Sequence, residues 1–354
     1  MAPTAAWPGE VLKALGHDDP RRVGPFELVG LLGAGGMGRV YLGRSPRGRA
    51  VAVKVLRTDL LTGGDSDVRR RFAREVAAGR AVDSRFTAPV VDADIEAAVP
   101  WLATAYVPGL PLADAVARFG ALPEPTLICL AAGLAAGIAD VHRAGLVHRD
   151  LKPSNVLLAV DGPRIIDFGI VRSHGASRLT GTDHTVGTYA FMSPEQFERA
   201  DVGPESDVFS LGAVLAYAAT GHAPFSGDQL PVLWRSITHH EPDLAGTPAA
   251  LLAIVTRCLA KDPAARPDTA WLRSTLSDLA TNAGCRSGQD WLPSPLAHAL
   301  LEIADRALAA DGPGSAADDT TRTARPSKAR RAARPVAAEP PTPASPKTPV
   351  PGAR

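Results

Sequence analysis

A cluster of glycines between two strand-like segments constrains the fold of this chain most. Within residues 31–43 (LLGAGGMGRVYLG), four glycines occupy six consecutive positions, and an alternating Val-Tyr-Leu segment follows directly. Glycine loses more backbone entropy on folding than any other residue, so such a cluster is used where the main chain must approach a ligand closely or adopt unusual conformations. The segment therefore predicts a glycine-rich β-hairpin that covers a ligand.

The spacing Gly33-x-Gly35-x-x-Gly38 occurs in more than one class of nucleotide-binding protein, and its context separates them. A dinucleotide-binding fingerprint needs a helix to begin at the last glycine, whereas residues 39–43 alternate as a strand. A Walker loop needs Gly-Lys-Ser/Thr, which is absent from the motif. A simple flexible hairpin turn stays open as the alternative.

The apolar patterns along the chain predict an α+β fold with two lobes. From Phe26 to about Val107 the pattern is strand-like, with one helical segment (VRRRFAREVAAGRAV). From Asp114 to about Leu279, Ala- and Leu-rich helical windows dominate. A small sheet-rich lobe followed by a larger helical lobe is the expected arrangement, because the elements do not alternate as βαβ units.

The predicted boundaries are a lead-in at 1–23, a first lobe at about 24–107, a second at about 108–282, a helical extension at 283–310 and a tail at 311–354. The tail is rich in Pro, Ala and Arg and carries eight Lys/Arg against four Asp/Glu. Its few large apolar residues cannot form a core, so it is predicted to be disordered.

Composition indicates a soluble, globular, cytoplasmic protein. Hydrophobic residues make up 45% of the chain and charged residues 21%, and the net charge is +1. The apolar stretches that begin at Thr126 and Leu211 are shorter than the roughly 20 residues of a membrane span, and they are predicted to be buried helices. Cys129, Cys258 and Cys285 show no paired spacing, which predicts neither a disulfide framework nor a zinc site and fits a reducing compartment.

Two charged residues of the first lobe are candidates for a functional site. The strand-like residues 51–54 (VAVK) end on Lys54, and Glu75 is the only glutamate between this lysine and Glu96. Glu75 falls in the predicted helix, which could direct its carboxylate back toward the strand. The alternative for each residue is a solvated surface charge, the commoner state of Lys and Glu.

A second group of motifs lies between the helical windows. Residues 148–155 read HRDLKPSN, residues 167–169 read DFG, and residues 193–195 read SPE. Together with the glycine loop and VAVK, these motifs occur in the order and at the spacing of the eukaryotic-type (Hanks-type) serine/threonine protein kinases of bacteria, actinobacterial members in particular. The chain resembles this family over about residues 24–280, and the resemblance implies the bilobal protein-kinase fold.

The resemblance implies a nucleotide site between the lobes. The glycine loop covers the phosphates of ATP, Lys54 contacts the α- and β-phosphates, and Glu75 holds this lysine. The segment TAYVPG connects the lobes, and Thr104 closes the back of the adenine pocket. The ATP-binding residues that the resemblance implies are Leu32, Gly33, Ala34, Gly35, Gly36, Met37, Gly38, Val40, Ala52, Lys54, Thr104, Ala105 and Val107.

The resemblance also assigns the catalytic and metal-binding residues. Asp150 accepts the proton of the substrate hydroxyl or orients it, and Lys152 lies beside the transferred phosphoryl group. Asn155 and Asp167 supply oxygen ligands to Mg²⁺, with Mn²⁺ as an alternative metal. Because a lysine at position 152 is the form found in the Ser/Thr class, the expected acceptors are serine and threonine.

Other positions match structural residues of the family. Asp207 matches the aspartate that holds the backbone of the catalytic loop, and Arg266 matches the arginine that pairs with Glu195. His142 precedes the catalytic motif and is predicted to have a packing or hydrogen-bonding role.

The loop between DFG and SPE is predicted to be an activation segment. Thr180 and Thr182 resemble the paired autophosphorylation sites of bacterial relatives, and Thr188 resembles a structural threonine. Arg149 and Arg172 would repel each other without an anion, so they favour a phosphate between them. The alternative is an ordinary polar loop.

The predicted function is that of a non-specific serine/threonine protein kinase that uses Mg-ATP and phosphorylates its own activation loop, through a transient homodimer. Its partners are protein substrates, with no nucleic acid and no membrane span. Two alternatives stay open: a nucleotide-binding, pseudokinase-like scaffold, and a small-molecule phosphotransferase, which would not need the SPE element or the Arg266 pairing.

Overall fold

The structure is a computed structural model that describes residues 12–35, 38–57, 66–167, 186–198, 202–285 and 291–309. All of these residues belong to one compact unit, Met1–Pro313.

The first lobe is built on an antiparallel sheet. The sheet order is β1-β2-β3-β4-β6-β5, and helix α1 lies in the chain between β4 and β5. The elements are β1 (Arg22–Val23), β2 (Phe26–Ala34), β3 (Gly38–Arg44), β4 (Ala50–Leu56), α1 (Ser66–Ala81), β5 (Val90–Asp94) and β6 (Trp101–Ala105).

Strand β4 shows how the sequence pattern divides the two faces of this sheet. Val51, Val53 and Val55 are buried in a cluster that also contains Tyr41 and Trp101. Since side chains alternate along a strand, Lys54 lies on the opposite face. The alternation of VAVKV thus places a lysine in the space between the sheet and the second lobe.

The second lobe is mainly helical and contains a small sheet with the order β7-β8-β9. Helices α3 and α5 lie in its core, where their apolar residues are buried. The elements are β7 (Gly109–Pro111), α2 (Leu112–Phe119), α3 (Glu124–Arg143), β8 (Val156–Ala159), β9 (Gly162–Ile165), α4 (Pro194–Glu198), α5 (Pro204–Thr220), α6 (Leu230–His239), α7 (Ala249–Cys258), α8 (Thr269–Asn282) and α9 (Ser294–Ala309).

The predicted α+β, bilobal fold is confirmed. The glycine-rich segment forms the hairpin of β2 and β3, and the two apolar stretches predicted to be buried helices lie in α3 and α5. Among the described residues, α3 alone is long and apolar enough to cross a membrane by length and composition. Leu127, Leu130, Leu134 and Ile138 of this helix are fully buried, which is the pattern of a core helix.

The residues after α8 pack on the second lobe. Trp291 is buried, and its indole Nε1 donates hydrogen bonds to the carbonyls of Ala159 and Val160, both at 3.1 Å. Leu296 and Leu300 of α9 belong to the same hydrophobic core as α3 and α5. The described part of the predicted helical extension therefore packs on the second lobe through Trp291, Leu296 and Leu300.

The expectation that the cysteines form no disulfide was wrong. Cys129 on α3 and Cys285 after α8 form a disulfide, with their Cα atoms 5.8 Å apart. These residues are 156 positions apart in sequence, and they meet only because α8 packs along α3. Linear spacing carries no sign of this pairing, so the inference of a reducing compartment loses that support.

We expect the disulfide to stabilise the fold, because a cross-link restricts the unfolded chain. Replacement Cys285→Ser should lower the free energy of unfolding by about 2–4 kcal/mol, measured by urea denaturation. Dithiothreitol should lower the free energy of unfolding of the wild type by the same amount as the replacement does, and it should leave that of the variant unchanged. Cys258 is buried and its burial raises the pKa of its thiol to about 12, so native thiol labelling should report the reduced pair alone. Equal wild-type midpoints with and without reductant would contradict the prediction.

Candidate active site

The glycine loop closes the β2-β3 hairpin. The amide of Gly35 donates to the carbonyl of Gly38 at 2.9 Å, and the amide of Gly38 donates back at 3.3 Å. A Cβ atom at Gly38 would collide with the carbonyl oxygen of Val55, so packing alone requires glycine there. At Gly33 and Gly35, by contrast, a Cβ atom would meet no described atom within 4 Å. Packing within the described part of the chain does not explain these two glycines, which is consistent with close approach of a ligand.

Lys54 joins two carboxylates from distant parts of the chain. Its Nζ lies 2.6 Å from Oε1 of Glu75 on α1 and 3.2 Å from Oδ1 of Asp167, which follows β9. Burial disfavours the ammonium ion, but the charges of Asp167 and Glu75 outweigh it and raise the pKa of Lys54. The charge of Lys54 in turn lowers the pKa of Asp167. Lys54 is therefore a fixed cation and not a solvated surface lysine.

Glu75 is buried, with 2% of its surface exposed. Burial raises the pKa of its carboxyl group, and the nearby charge of Lys54 opposes that shift. The position of this carboxylate follows from helix α1, which packs its apolar residues Phe72 and Val76 against Leu56 and Leu102 of the sheet. The sequence pattern thus directs one face of α1, and with it Glu75, toward the strand that carries Lys54.

Residues 148–155, the predicted catalytic loop, bring Asp150, Lys152 and Asn155 into contact. The ammonium group of Lys152 donates to Oδ2 of Asp150 at 3.0 Å. Nδ2 of Asn155 donates to the carbonyl oxygen of Asp150 at 2.8 Å and to its Oδ2 at 3.1 Å. The carbonyl of Asn155 accepts a hydrogen bond from the amide of Ile166 at 2.9 Å, which connects this loop to the residue before Asp167.

Two residues of the site adopt left-handed backbone conformations. Arg149 has φ of 65° and Asp167 has φ of 56°, and among the described residues no other non-glycine position has positive φ. Such conformations cost on the order of 1–3 kcal/mol each, and they persist where the surrounding contacts enforce them. Arg149 directly precedes the predicted base Asp150, and Asp167 is itself a predicted metal ligand, so the backbone strain is concentrated at this site.

Asp207 provides the contacts that hold the strained catalytic loop. It lies fully buried in the first turn of α5 and accepts the backbone amides of His148 at 2.7 Å and Arg149 at 2.8 Å. Nε2 of His142 lies 2.7 Å from the same carboxylate. The structure thus places the Asp207 carboxylate against the backbone of His148 and Arg149, and it gives His142 a hydrogen-bonding position against the same group.

His148 is the buried centre of the catalytic loop. Burial lowers the pKa of its imidazole, which favours the neutral ring near pH 7. Its Nδ1 accepts the backbone amide of Asp150 at 3.3 Å, and its Nε2 faces the carbonyl of Ile166 at 3.4 Å. A ring with the proton on Nε2 satisfies both contacts, so His148 links Asp150 to the strand end that carries Asp167.

The SPE element is held by a buried ion pair. The guanidinium group of Arg266 makes two hydrogen bonds to the carboxylate of Glu195, at 2.6 and 2.9 Å. The same guanidinium group donates to the carbonyls of Ala260, Lys261 and Glu205, at 2.8, 3.0 and 3.0 Å. This fork-to-fork geometry is that expected of an arginine–carboxylate pair.

The sequence did not predict two polar contacts near the SPE element. The hydroxyl groups of Ser193 and Ser206 lie 2.7 Å apart in the core. The side-chain Nε2 of Gln196 donates to the carbonyl of Arg149 at 2.8 Å. Helix α4 is thus bound directly to the catalytic loop.

The segment between the lobes, 104–109, begins within the last two residues of β6 and ends at the first residue of β7. Ala52 pairs with Thr104 across β4 and β6, and both are partly buried. The amide of Ala105 donates to the carbonyl of Pro89 at 2.9 Å. Leu32 and Val40 are partly buried on the glycine hairpin.

Several predicted site residues lie outside the described residues: Gly36, Met37, Arg172, Thr180 and Thr182. Thr188 belongs to the short 3₁₀ helix Val186–Phe191, and only its backbone is described. The predictions for these positions therefore remain predictions.

A sheet-rich lobe, a helical lobe and a lysine held between carboxylates beside a strained catalytic loop define a phosphotransferase of the protein-kinase type. Residues 26–275 match the protein kinase domain, and the chain belongs to this family. The predicted resemblance to Hanks-type bacterial kinases is confirmed.

Curated relatives support the same assignment. The chain is 48% identical over 286 residues to a probable serine/threonine-protein kinase, PkwA, of Thermomonospora curvata, covering 81% of this chain and 38% of that protein. It is 48% identical to the serine/threonine-protein kinase AfsK of Streptomyces griseus, covering 82% of this chain and 36% of the relative. The chain thus spans less than two fifths of the length of these relatives.

Among solved structures, the kinase domain of Mycobacterium tuberculosis PknI is similar to this chain with a TM-score of 0.57 and 27% identity. The alignment covers 73% of this chain and 96% of that domain. This similarity extends across both lobes of the described fold.

Proposed function

We propose that the chain is a serine/threonine protein kinase that transfers the γ-phosphoryl group of Mg-ATP to protein hydroxyl groups. The observation that carries the proposal is the contact of Lys54 with both Glu75 and Asp167. This contact connects the first lobe to the predicted metal ligand of the second, and it is the arrangement that phosphoryl transfer requires of this family.

The described residues fit a nucleotide and a metal ion. Lys54 would contact the α- and β-phosphates, while the carbonyl of Ala105 and the amide of Val107 would bind the adenine. Asp167 offers carboxylate oxygens, and Asn155 keeps its amide oxygen as an acceptor because its Nδ2 donates to Asp150. Such hard oxygen ligands suit Mg²⁺, which when bound would neutralise charge on the phosphates.

Asp150 is the proposed base. Its carboxylate would accept the proton of a serine or threonine hydroxyl, or orient that hydroxyl, as the oxygen forms a bond to the γ-phosphorus and the bond from this phosphorus to the bridging oxygen of ADP breaks. Lys152, 3.0 Å from this carboxylate, would stabilise charge on the transferred group. The Ser/Thr preference rests on the lysine at this position and on the named relatives.

Autophosphorylation at Thr180 and Thr182, a transient homodimer and a cytoplasmic location are parts of the same proposal. The autophosphorylation and the homodimer rest on the resemblance to bacterial relatives, and the autophosphorylation also rests on Arg149, which directly precedes the proposed base Asp150 in the sequence.

The test is a transfer assay with the full chain, γ-labelled ATP, Mg²⁺ and a generic protein substrate. We expect label on the chain itself and on the substrate, with phosphoserine and phosphothreonine but no phosphotyrosine after acid hydrolysis. Excess EDTA should abolish labelling, because Asp167 and Asn155 would then lack their metal ion. Binding of ATP without any transfer would overturn the proposal in favour of the scaffold alternative.

A further inference from the structure

A segment outside the matched family region packs on the glycine hairpin. Residues 12–23, named here the N-terminal strap, precede the matched residues 26–275. The strap was predicted to be a lead-in outside the kinase domain. Its contacts fall on β2 and β3, the two strands that carry the glycine loop.

The strap first adds backbone hydrogen bonds to β2. The amide of Lys13 donates to the carbonyl of Leu31 at 2.9 Å, and the amide of Leu31 donates back to Lys13 at 2.8 Å. A Cβ atom at Gly30 would lie 2.6 Å from the side chain of Leu12, so glycine at that position permits the close approach. The strap therefore extends the sheet beside β2, immediately before the glycine loop.

The strap then binds β3 through a buried carboxylate. Asp19 is only 9% exposed, and its Oδ1 accepts the Tyr41 hydroxyl at 2.8 Å and Nη1 of Arg39 at 2.6 Å. Its Oδ2 accepts the amide of Gly16 at 2.8 Å. The hydrogen bond from Tyr41 is the largest of the effects that lower the pKa of Asp19, so this group is a carboxylate at neutral pH.

These two attachments lie opposite each other on the β2-β3 hairpin. Leu31 and Tyr41 are cross-strand partners, and Arg39 pairs with Ala34 next to the glycine turn. The strap thus binds the backbone of one strand at Leu31 and the side chain of its partner at Tyr41. Val40, between the two residues that Asp19 binds, pairs with Lys54 on β4.

We propose that Asp19 is a positioning residue for nucleotide binding. Through Tyr41 and Arg39 it holds the glycine hairpin in the position in which the main chain of the hairpin would contact the ATP phosphates. The inference rests on the proposed function, because it assigns ATP to that hairpin. Charge-assisted hydrogen bonds to a buried carboxylate are roughly twice as strong as neutral ones, so the strap restrains the hairpin more firmly than packing alone.

Loss of this carboxylate should weaken ATP binding more than it slows catalysis. In Asp19→Asn and Tyr41→Phe the hairpin loses part of its restraint. Part of the free energy of ATP binding is then used to order the hairpin, so the apparent affinity for ATP falls. The KM for ATP should rise by about 3- to 10-fold, while kcat and the KM for the protein substrate stay within about twofold, since Lys54 and Asp150 keep their contacts.

The control is Asp18→Asn. Asp18 neighbours Asp19 in the strap, but its side chain is 97% exposed and contacts His17, so its replacement should leave all three constants unchanged. Tyr41→Phe keeps the buried ring and therefore offers a second test if Asp19→Asn folds poorly.

Each result decides a separate question. An unchanged KM for ATP in both folded variants, with only a lower melting temperature, would overturn the inference and leave Asp19 a structural residue. A wild type that transfers no phosphate would refute the proposed function alone, and dissociation constants for ATP measured by titration would then test Asp19 in the same variants. A wild type that binds no ATP would overturn both.

Discussion

Replacement Asp150→Asn is expected to lower the rate of phosphoryl transfer by about 10²- to 10⁴-fold, the contribution typical of a positioned general acid–base group. The amide cannot accept the proton of the substrate hydroxyl, but it keeps the size of the side chain and an oxygen for the ammonium group of Lys152. Folding and ATP binding should therefore change little. The measurement is the initial rate with labelled ATP at saturating substrate, together with an ATP titration.

The matched control for this variant is Asp161→Asn. Asp161 lies in the turn between β8 and β9, and its side chain is 63% exposed and forms an ion pair with Arg164. We expect wild-type rates from it. If Asp150→Asn instead retained more than a tenth of the wild-type rate, either Asp150 would not be the base or a kinase that co-purifies with the chain would be responsible.

The sequence predicted the site well where a motif and the periodicity of an element act together. Glu75 was identifiable because it is the only glutamate between Lys54 and Glu96, and because its helix turns an apolar face to the sheet. Asp207 was identifiable because the residues around it, ESDVFSLG, resemble the family, and the structure places its carboxylate on the amides of His148 and Arg149.

The contacts that the sequence did not reveal are tertiary pairings between ordinary residues. Asp19 sits beside Asp18 in the sequence, and only the course of the strap decides that one carboxylate is buried and the other exposed. The disulfide of Cys129 and Cys285 depends in the same way on how α8 packs along α3. Neither spacing nor residue type distinguishes such positions, because the partner lies on an element that is distant in sequence.

The second large effect is expected from Arg266→Ala, which should lower the free energy of unfolding by about 3–5 kcal/mol, measured by urea denaturation. The variant leaves the buried carboxylate of Glu195 without its cation and removes the hydrogen bonds that the guanidinium group donates to three carbonyl oxygens. The double variant Arg266→Met/Glu195→Met removes both charges and should recover part of the loss, because it leaves no unpaired buried charge.

A surface arginine supplies the comparison that separates burial from charge. Arg273 also pairs with a carboxylate, that of Asp140 at 3.0 Å, but its side chain is 47% exposed. Arg273→Ala should therefore cost no more than about 1 kcal/mol. A similar small cost for Arg266→Ala would contradict the prediction. Since helix α4 binds the catalytic loop through Gln196 and Arg149, loss of the Glu195 anchor should also lower the transfer rate of the folded variant, whereas Arg273→Ala should leave that rate unchanged.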